Sequence, residues 1–135
     1  MRCLLDTNVF LEVALSQGRA LEAGRLLQSG VRDLYISDLS LHSIGIRLFR
    51  QGLFEAHSRL MDDVFISEAV QVLSLPLEAH AKIQETARAY SLDFEDAYQF
   101  EVANHFGLAL VSFDTDFDRS RLKRLTPSEV LAFLK

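Results

Sequence analysis

The sequence has little of several features that mark particular classes of protein. Cysteine occurs once in 135 residues, at Cys3, which excludes a disulfide framework and a cysteine-rich metal site and suits a reducing cytosol. No apolar run approaches the roughly 20 residues that cross a bilayer, and the N-terminal segment lacks a signal-peptide pattern. We therefore expect one compact, soluble, cytoplasmic domain over residues 1–135, with Cys3 buried and no membrane contact.

The chain also lacks a positive net charge. Its formal net charge of -5 argues against a protein that coats DNA, because phosphate neutralisation supplies most of the free energy of binding to a polyanion. Most of the 14 basic residues are arginine, whose planar fork binds a phosphate through two hydrogen bonds. The composition is therefore compatible with a localised nucleic-acid-binding site, with acids at a metal centre and arginines at its rim.

Short apolar segments alternate with helical patterns along the chain. Strands are predicted over 3–5, 34–37, 70–73, 108–113 and 122–125, and helices over 9–14, 20–27, 39–50, 54–65, 76–90, 91–106 and 127–134. Either Asp38 or Ser40 is available to cap the third helix. Because the strands are apolar throughout rather than alternating, they predict a mainly parallel sheet of four to five strands. Helices would cover both of its faces, in a three-layer α/β/α sandwich.

Four carboxylates follow strands of this predicted sheet or lie close to one. Asp6 follows the first strand, Asp114 and Asp116 follow the late apolar strand, and Asp96 lies in the first turn of the preceding helix. Right-handed crossovers place the C-terminal ends of parallel strands along one edge of a sheet. If the first and late strands are neighbours, all four acids meet there.

Crowded carboxylates in a partly dry cleft repel one another, and a hard divalent cation is the usual remedy. Oxygen ligands without histidine or cysteine suit Mg²⁺ or Mn²⁺ better than zinc. Asn8 and Ser112 are placed to orient the acids by hydrogen bonds. Each acid alone also has an ordinary explanation as a helix cap or a turn residue.

Three segments, LLDTN at 4–8, LDFEDA at 92–97 and LVSFDTDF at 110–117, resemble those of PIN-domain nucleases. The closest resemblance is to the VapC-type toxins of type II toxin–antitoxin pairs, and it covers nearly the whole chain. It implies a PIN-like fold and a metal-dependent endoribonuclease. By this resemblance, Asp6, Asp96 and Asp114 bind Mg²⁺ or Mn²⁺ and Asp116 assists, while Asn8 and Ser112 orient the acids.

The resemblance has one departure, in the helix after the second strand. The family usually carries a Glu there, in a Leu-His-Glu-Ile-like setting, whereas this chain reads Leu41-His42-Ser43-Ile44. Ser43 supplies no charge. Three interpretations stay open: the site works with one acid fewer, Asp38 partly substitutes, or the domain has lost its activity.

The resemblance also implies partners. A toxin of this kind is expected to act on RNA, to form a homodimer and to bind an antitoxin whose C-terminal tail covers the acidic cleft. Phe49, Leu53 and Phe54 would serve such interfaces or the core equally well. The candidates for contacts with RNA phosphates are Arg47, Arg50, Arg119, Arg121 and Arg124.

Three other functions compete with the nuclease. The first is an inactive PIN-like module that binds RNA or protein, which Ser43 favours. A response-regulator receiver would need an acidic pair after the first strand, and this chain has one acid there. A phosphatase of the Asp-x-Asp type would need its motif after the first strand, whereas Asp114-Thr115-Asp116 comes late.

Overall fold

The computed structural model describes residues 1–134. Its centre is a sheet of five parallel strands in the order β3-β2-β1-β4-β5. Helices cover both faces, which confirms the predicted α/β/α architecture. The strands are β1 (Cys3–Leu5), β2 (Leu34–Ser37), β3 (Gln71–Leu73), β4 (Ala109–Val111) and β5 (Arg124–Leu125).

The helices mostly follow the predicted boundaries, with two differences. The predicted helix over 54–65 is α-helical only to Leu60 and continues as a wider π-helix, Met61–Ile66. The segment after Pro76 begins as a 3₁₀-helix, Leu77–Lys82, and a further 3₁₀ turn covers Thr115–Arg119. The α-helices are α1 (Thr7–Ala14), α2 (Ala20–Leu27), α3 (Asp38–Arg50), α4 (Phe54–Leu60), α5 (Ile83–Tyr90), α6 (Phe94–Phe106) and α7 (Pro127–Phe133).

The helix ends have identifiable chemical causes. Ser37, rather than Asp38 or Ser40, caps α3, because its hydroxyl accepts a 3.0 Å hydrogen bond from the Ser40 amide. This corrects the prediction, since the cap lies one residue before Asp38 and three before Ser40. At the start of α7, Thr126 and Glu129 form a reciprocal capping box, as the sequence predicts.

The core has two parts, one on each face of the sheet. Successive side chains of a strand point to opposite faces, so Cys3 and Leu5 enter one cluster and Leu4 enters the other. The first cluster also takes Phe10 of α1, and the second takes Phe100 of α6. The position of Cys3, which is fully buried, confirms that it is a core residue.

The pairing of β1 with β4 decides where the acids lie. Cys3, Leu4 and Leu5 pair in parallel with Ala109, Leu110 and Val111. The residues that follow these two strands therefore emerge side by side at one edge. Every helix within residues 1–134 is too short or too polar to span a lipid bilayer.

Candidate active site

Asp6 and Ser112 meet where β1 and β4 end. The amide of Asp6 donates to the carbonyl of Val111 at 2.9 Å, which extends the β1–β4 pairing by one residue. The Ser112 hydroxyl then donates to Oδ2 of Asp6 at 2.7 Å. The sheet order, in which β1 and β4 are neighbours, meets the condition on which the convergence of the acids depended.

The carboxylate of Asp6 is enclosed by hydrogen-bond donors. The Thr7 amide and Nε2 of Gln99 both donate to its Oδ1, at 2.8 and 3.0 Å, and Ser112 donates to the other oxygen. Only 5% of Asp6 is exposed. Burial raises its pKa, although these three hydrogen bonds lower it in part. The donors fix the orientation of this side chain.

Ser112 connects several of the predicted site residues. Its hydroxyl oxygen accepts from Nδ2 of Asn8 at 3.1 Å and from the amide of Asp114 at 2.9 Å, while it donates to Asp6. Oδ1 of Asn8 in turn accepts from the Phe113 amide at 3.3 Å. Ser112 therefore contacts Asp6 and the backbone of Asp114 directly, whereas Asn8 is linked to the acids only through Ser112 and the Phe113 backbone.

A set of three carboxylates lies at the same edge. One oxygen each from Asp96, Asp114 and Asp116 lies within 4.8 Å of the others. Asp96 comes from the first turn of α6, whose N-cap is Asp93. Asp114 caps the 3₁₀ turn after β4, because its Oδ1 accepts from the Asp116 amide at 2.8 Å. Asp6 is not part of this set.

Asp96 is the least compensated of these acids. It is 8% exposed, and within residues 1–134 no group donates a hydrogen bond to its carboxylate. Burial raises its pKa to about 8, with further contributions from the charges of Asp6, Asp93, Asp114 and Glu95. A carboxylate that is crowded by like charges and has no hydrogen-bond donor is a feature that a bound cation would complete.

The donor chemistry of this set is that of a hard-cation site. Its three side chains offer carboxylate oxygens alone, which suits Mg²⁺ or Mn²⁺ better than a thiophilic metal. Asp116 is the outermost member, because 55% of its side chain is exposed. Its Oδ2 lies 3.4 Å from Nη2 of Arg119.

The acid that the sequence offered as a replacement for the missing Glu lies elsewhere. Burial raises the pKa of Asp38, but hydrogen bonds from the Tyr98 hydroxyl, the Ser74 hydroxyl and the Leu39 amide outweigh it and hold the pKa below its ordinary value. Asp38 is not in the carboxylate set. Ser43 lies half-buried on α3.

Two residues of the network were not predicted from the sequence. Gln99 is fully buried, and its Nε2 donates to both Asp6 and Ser40, while its Oε1 has no partner within residues 1–134. Oε1 of Glu95 accepts from the Thr7 hydroxyl at 2.9 Å. The available signal was spacing, because Gln99 follows Asp96 by three residues and so shares its helix face.

The arginines occupy different surroundings. Arg119 lies beside Asp116, whereas Arg124 forms an ion pair with Asp118 at 3.0 Å and also donates to the Ser112 carbonyl. Arg121 stacks over Phe100 and donates to Asn104. Arg47 and Arg50 are exposed on the last turn of α3.

The PIN domain family model matches residues 3–122. The chain belongs to the PIN domain family. No curated protein matches it by sequence. This PIN domain is similar in fold to VapC20 of Mycobacterium tuberculosis, a toxin described as cleaving the sarcin–ricin loop: the TM-score is 0.78 at 21% identity, over 93% of this chain and 99% of the other.

Two further solved structures share the fold. A toxin–antitoxin complex from Klebsiella pneumoniae has a TM-score of 0.73 at 19% identity and covers 93% of this chain and 97% of the other. VapBC2 from Rickettsia felis, bound to a DNA fragment from its promoter, has a TM-score of 0.75 at 15% identity and covers 93% of this chain and 98% of the other. The PIN domain thus has the fold of VapC toxins.

Proposed function

We propose that this PIN domain is a Mg²⁺- or Mn²⁺-dependent endoribonuclease and the toxin of a type II toxin–antitoxin pair. The observation that carries the proposal is the set of three carboxylates at the sheet edge, in which Asp96 is buried without a hydrogen-bond donor. The similarity in fold to VapC20, which is described as cleaving an RNA loop, supports RNA as the substrate class.

The chain supplies the ion-binding groups from three elements. Asp96, Asp114 and Asp116 would hold the ion, joined by Asp6, whose charge acts on Asp96. When bound, a divalent ion neutralises phosphate charge and lowers the pKa of water, which provides a nucleophile near neutral pH. The reaction is hydrolysis of a phosphodiester bond.

The role of the surrounding residues is to hold the acids still. Ser112 links Asp6 to the backbone of Asp114, and Gln99 fixes Asp6 from the opposite side. Preorganised acids need little rearrangement when the phosphate binds, and this is the usual source of electrostatic catalysis. Asn8 supports Ser112 and the backbone at Phe113.

Exposed arginines would bind the phosphates that flank the cleaved bond. Arg119 is the nearest candidate, because its guanidinium lies 3.4 Å from the outermost acid, Asp116. Arg124 is a weaker candidate, because its guanidinium is held by Asp118. The remaining candidates are Arg47, Arg50 and Arg121.

A cleavage assay tests the proposal. Purified protein is incubated with a sarcin–ricin-loop hairpin and with an unstructured RNA, in Mg²⁺, in Mn²⁺ and in EDTA. We expect cutting that requires the ion and is lost in Asp6→Asn. Equal cutting in EDTA would exclude the metal site.

The second candidate is a non-catalytic PIN-like module that binds RNA or protein, and Ser43 is the residue that favours it, since α3 supplies no acid to the carboxylate set. The same assay separates the two. RNA binding that persists without any cutting in Mg²⁺ or Mn²⁺ supports the module and contradicts the nuclease.

As such a toxin, the protein would work in the cytoplasm as a homodimer and bind an antitoxin. Phe49 and Phe54 offer a surface for one of these contacts, because both rings are exposed and lie edge to face at 4.9 Å. Leu53 instead packs against the core. Light scattering of the purified chain tests the homodimer, and a monomer at micromolar concentration would contradict it.

A further inference from the structure

Glu95 is an acid of the site that has no cation beside it. It lies in the first turn of α6, directly before Asp96, and is half-buried. Within residues 1–134 no lysine, arginine or histidine forms an ion pair with it. Its one hydrogen bond comes from the Thr7 hydroxyl, at 2.9 Å.

Glu95 lies close to two buried acids of the site. It directly precedes Asp96 in the first turn of α6, and the Thr7 hydroxyl from which it accepts belongs to the residue that follows Asp6. A half-buried carboxylate next to two others destabilises the metal-free protein. That cost is offset when a cation binds, since each negative charge near the ion adds to its affinity.

The opposite wall of the network carries no charge. On the α3 side, the Ser40 hydroxyl donates to the Thr7 hydroxyl oxygen and accepts from Nε2 of Gln99. Ser43 lies one turn further along the same helix and is also neutral. Thr7 thus lies between the neutral Ser40 hydroxyl of α3 and the charged Glu95 of α6.

We propose that Glu95 is a positioning residue of this site: its charge raises the affinity for the divalent ion, and its hydrogen bond to Thr7 holds the first turn of α6 against the first turn of α1. The inference rests on the proposed metal site. It assigns to α6 an acid that neither the sequence prediction nor the carboxylate set contains.

The test measures Mn²⁺ binding by calorimetry, on the full chain without RNA. Glu95→Gln keeps an oxygen that accepts from Thr7 but removes the charge, and we expect it to weaken Mn²⁺ binding about tenfold. Glu85→Gln is the matched control, because Glu85 is exposed on α5. That variant should bind Mn²⁺ within about twofold of the wild type.

A second variant separates the effect of the Glu95 charge from the effect of its hydrogen bond with Thr7. Thr7→Val removes the hydroxyl and keeps the carboxylate, so it should lower the rate of RNA cleavage while Mn²⁺ affinity stays within about twofold. An equal loss of Mn²⁺ affinity in Thr7→Val and Glu95→Gln would overturn the charge role. Thermal unfolding in EDTA verifies that each variant folds, and the shift that Mn²⁺ causes gives a second measure of affinity.

These measurements distinguish a failure of the inference on Glu95 from a failure of the proposed function. If the wild type binds Mn²⁺ and cuts RNA while Glu95→Gln binds Mn²⁺ equally well, the inference on Glu95 is wrong and the proposed function stands. If the wild type binds no Mn²⁺, the proposed function fails and the inference with it.

Discussion

The acidic edge has two halves that are built in opposite ways. Around Asp6, three donors from α1, α6 and the end of β4 surround one carboxylate. Around Asp96, other carboxylates are the neighbours and no group donates to the side chain. Both residues are almost fully buried, at 5% and 8% exposure. Their hydrogen-bond partners, however, distinguish them.

The comparison distinguishes a carboxylate whose hydrogen bonds the protein itself supplies from carboxylates that lack a donor and can be neutralised by a bound cation. In the half around Asp6, both carboxylate oxygens accept hydrogen bonds, and this half serves as a fixed support. The half around Asp96 is electrostatically unfavourable alone, because like charges repel in a partly dry cleft. Substitutions in the two halves should therefore change stability in opposite directions while both impair catalysis.

The largest effect is expected for Asp96→Asn. Loss of this oxygen ligand and its charge should lower RNA cleavage about a thousandfold, which corresponds to about 4 kcal/mol. Asn also removes the cost of protonating this carboxyl on folding, so in EDTA at pH 7 the unfolding temperature should rise by about 4 °C, for on the order of 1 kcal/mol. A fall in the unfolding temperature would contradict the comparison.

The pH dependence of stability follows from the same residue. In the metal-free folded state the pKa of Asp96 is raised to about 8 from 3.8. The folded state holds this proton more tightly than the unfolded state, so the stabilisation is present below pH 4 and is lost as the pH rises through 8. Urea unfolding in EDTA at pH 5 and pH 8 should show the loss in the wild type and a smaller one in Asp96→Asn.

The next largest effect is expected for Ser112→Ala, in the satisfied half. Three hydrogen bonds end at this hydroxyl, from and to Asp6, Asn8 and Asp114. We expect a loss of about 2 kcal/mol in the free energy of unfolding, because buried partners are left unpaired, and about a tenfold lower cleavage rate. Ser58→Ala, at an exposed position of α4, is the control and should change neither quantity.

A smaller effect is expected for Asp116→Asn. More than half of this side chain is exposed, and it already lies near Arg119. The ion should therefore bind about threefold more weakly, because water replaces an exposed ligand at low cost. Cleavage measured against Mn²⁺ concentration would show a shifted midpoint with an unchanged plateau. A plateau that falls as far as that of Asp96→Asn would show that Asp116 is as important to cleavage as Asp96.

The smallest effect is expected for Arg119→Gln. Its contact with Asp116 is an exposed ion pair, so stability should change by less than about 0.5 kcal/mol. RNA affinity should fall a few-fold, with the salt dependence of binding reduced by about one phosphate contact. Fluorescence anisotropy at two salt concentrations measures both quantities, and an unchanged salt slope would remove Arg119 from the RNA surface.

Local signals in the sequence were enough to predict the sheet and most helices. Leu34–Ser37 and Ala20–Leu27 match their predicted ranges, because an apolar strand bounded by turns and an amphipathic helix ended by Ser29-Gly30 are each decided by nearby residues. The predicted strand over 108–113 ends early, at Val111, since Ser112 accepts from the Asp114 amide and turns the chain.

What the sequence could not give is the partner of each polar side chain. Gln99 and Glu95 belong to the network through contacts with Asp6 and Thr7, which lie about ninety positions away. Helix spacing places Gln99 on the same face as Asp96, but it does not identify the distant residue that either side chain contacts. The sequence did not predict the π-helix after α4. A segment of this length with i→i+5 hydrogen bonds is too short to produce a recognisable spacing of apolar residues.

The central place of β1 in the sheet has a consequence for synthesis. Asp6 leaves the ribosome early, but its bond to Ser112 joins residues 106 positions apart. Contacts of such long range form late, and a growing chain lacks Asp114 and Asp116 until β4 has emerged. For a protein proposed to cut RNA, this topology delays the assembly of the cutting centre until most of the chain has been made. Under the proposed function, the messenger and the ribosome that make the protein would be spared while translation proceeds.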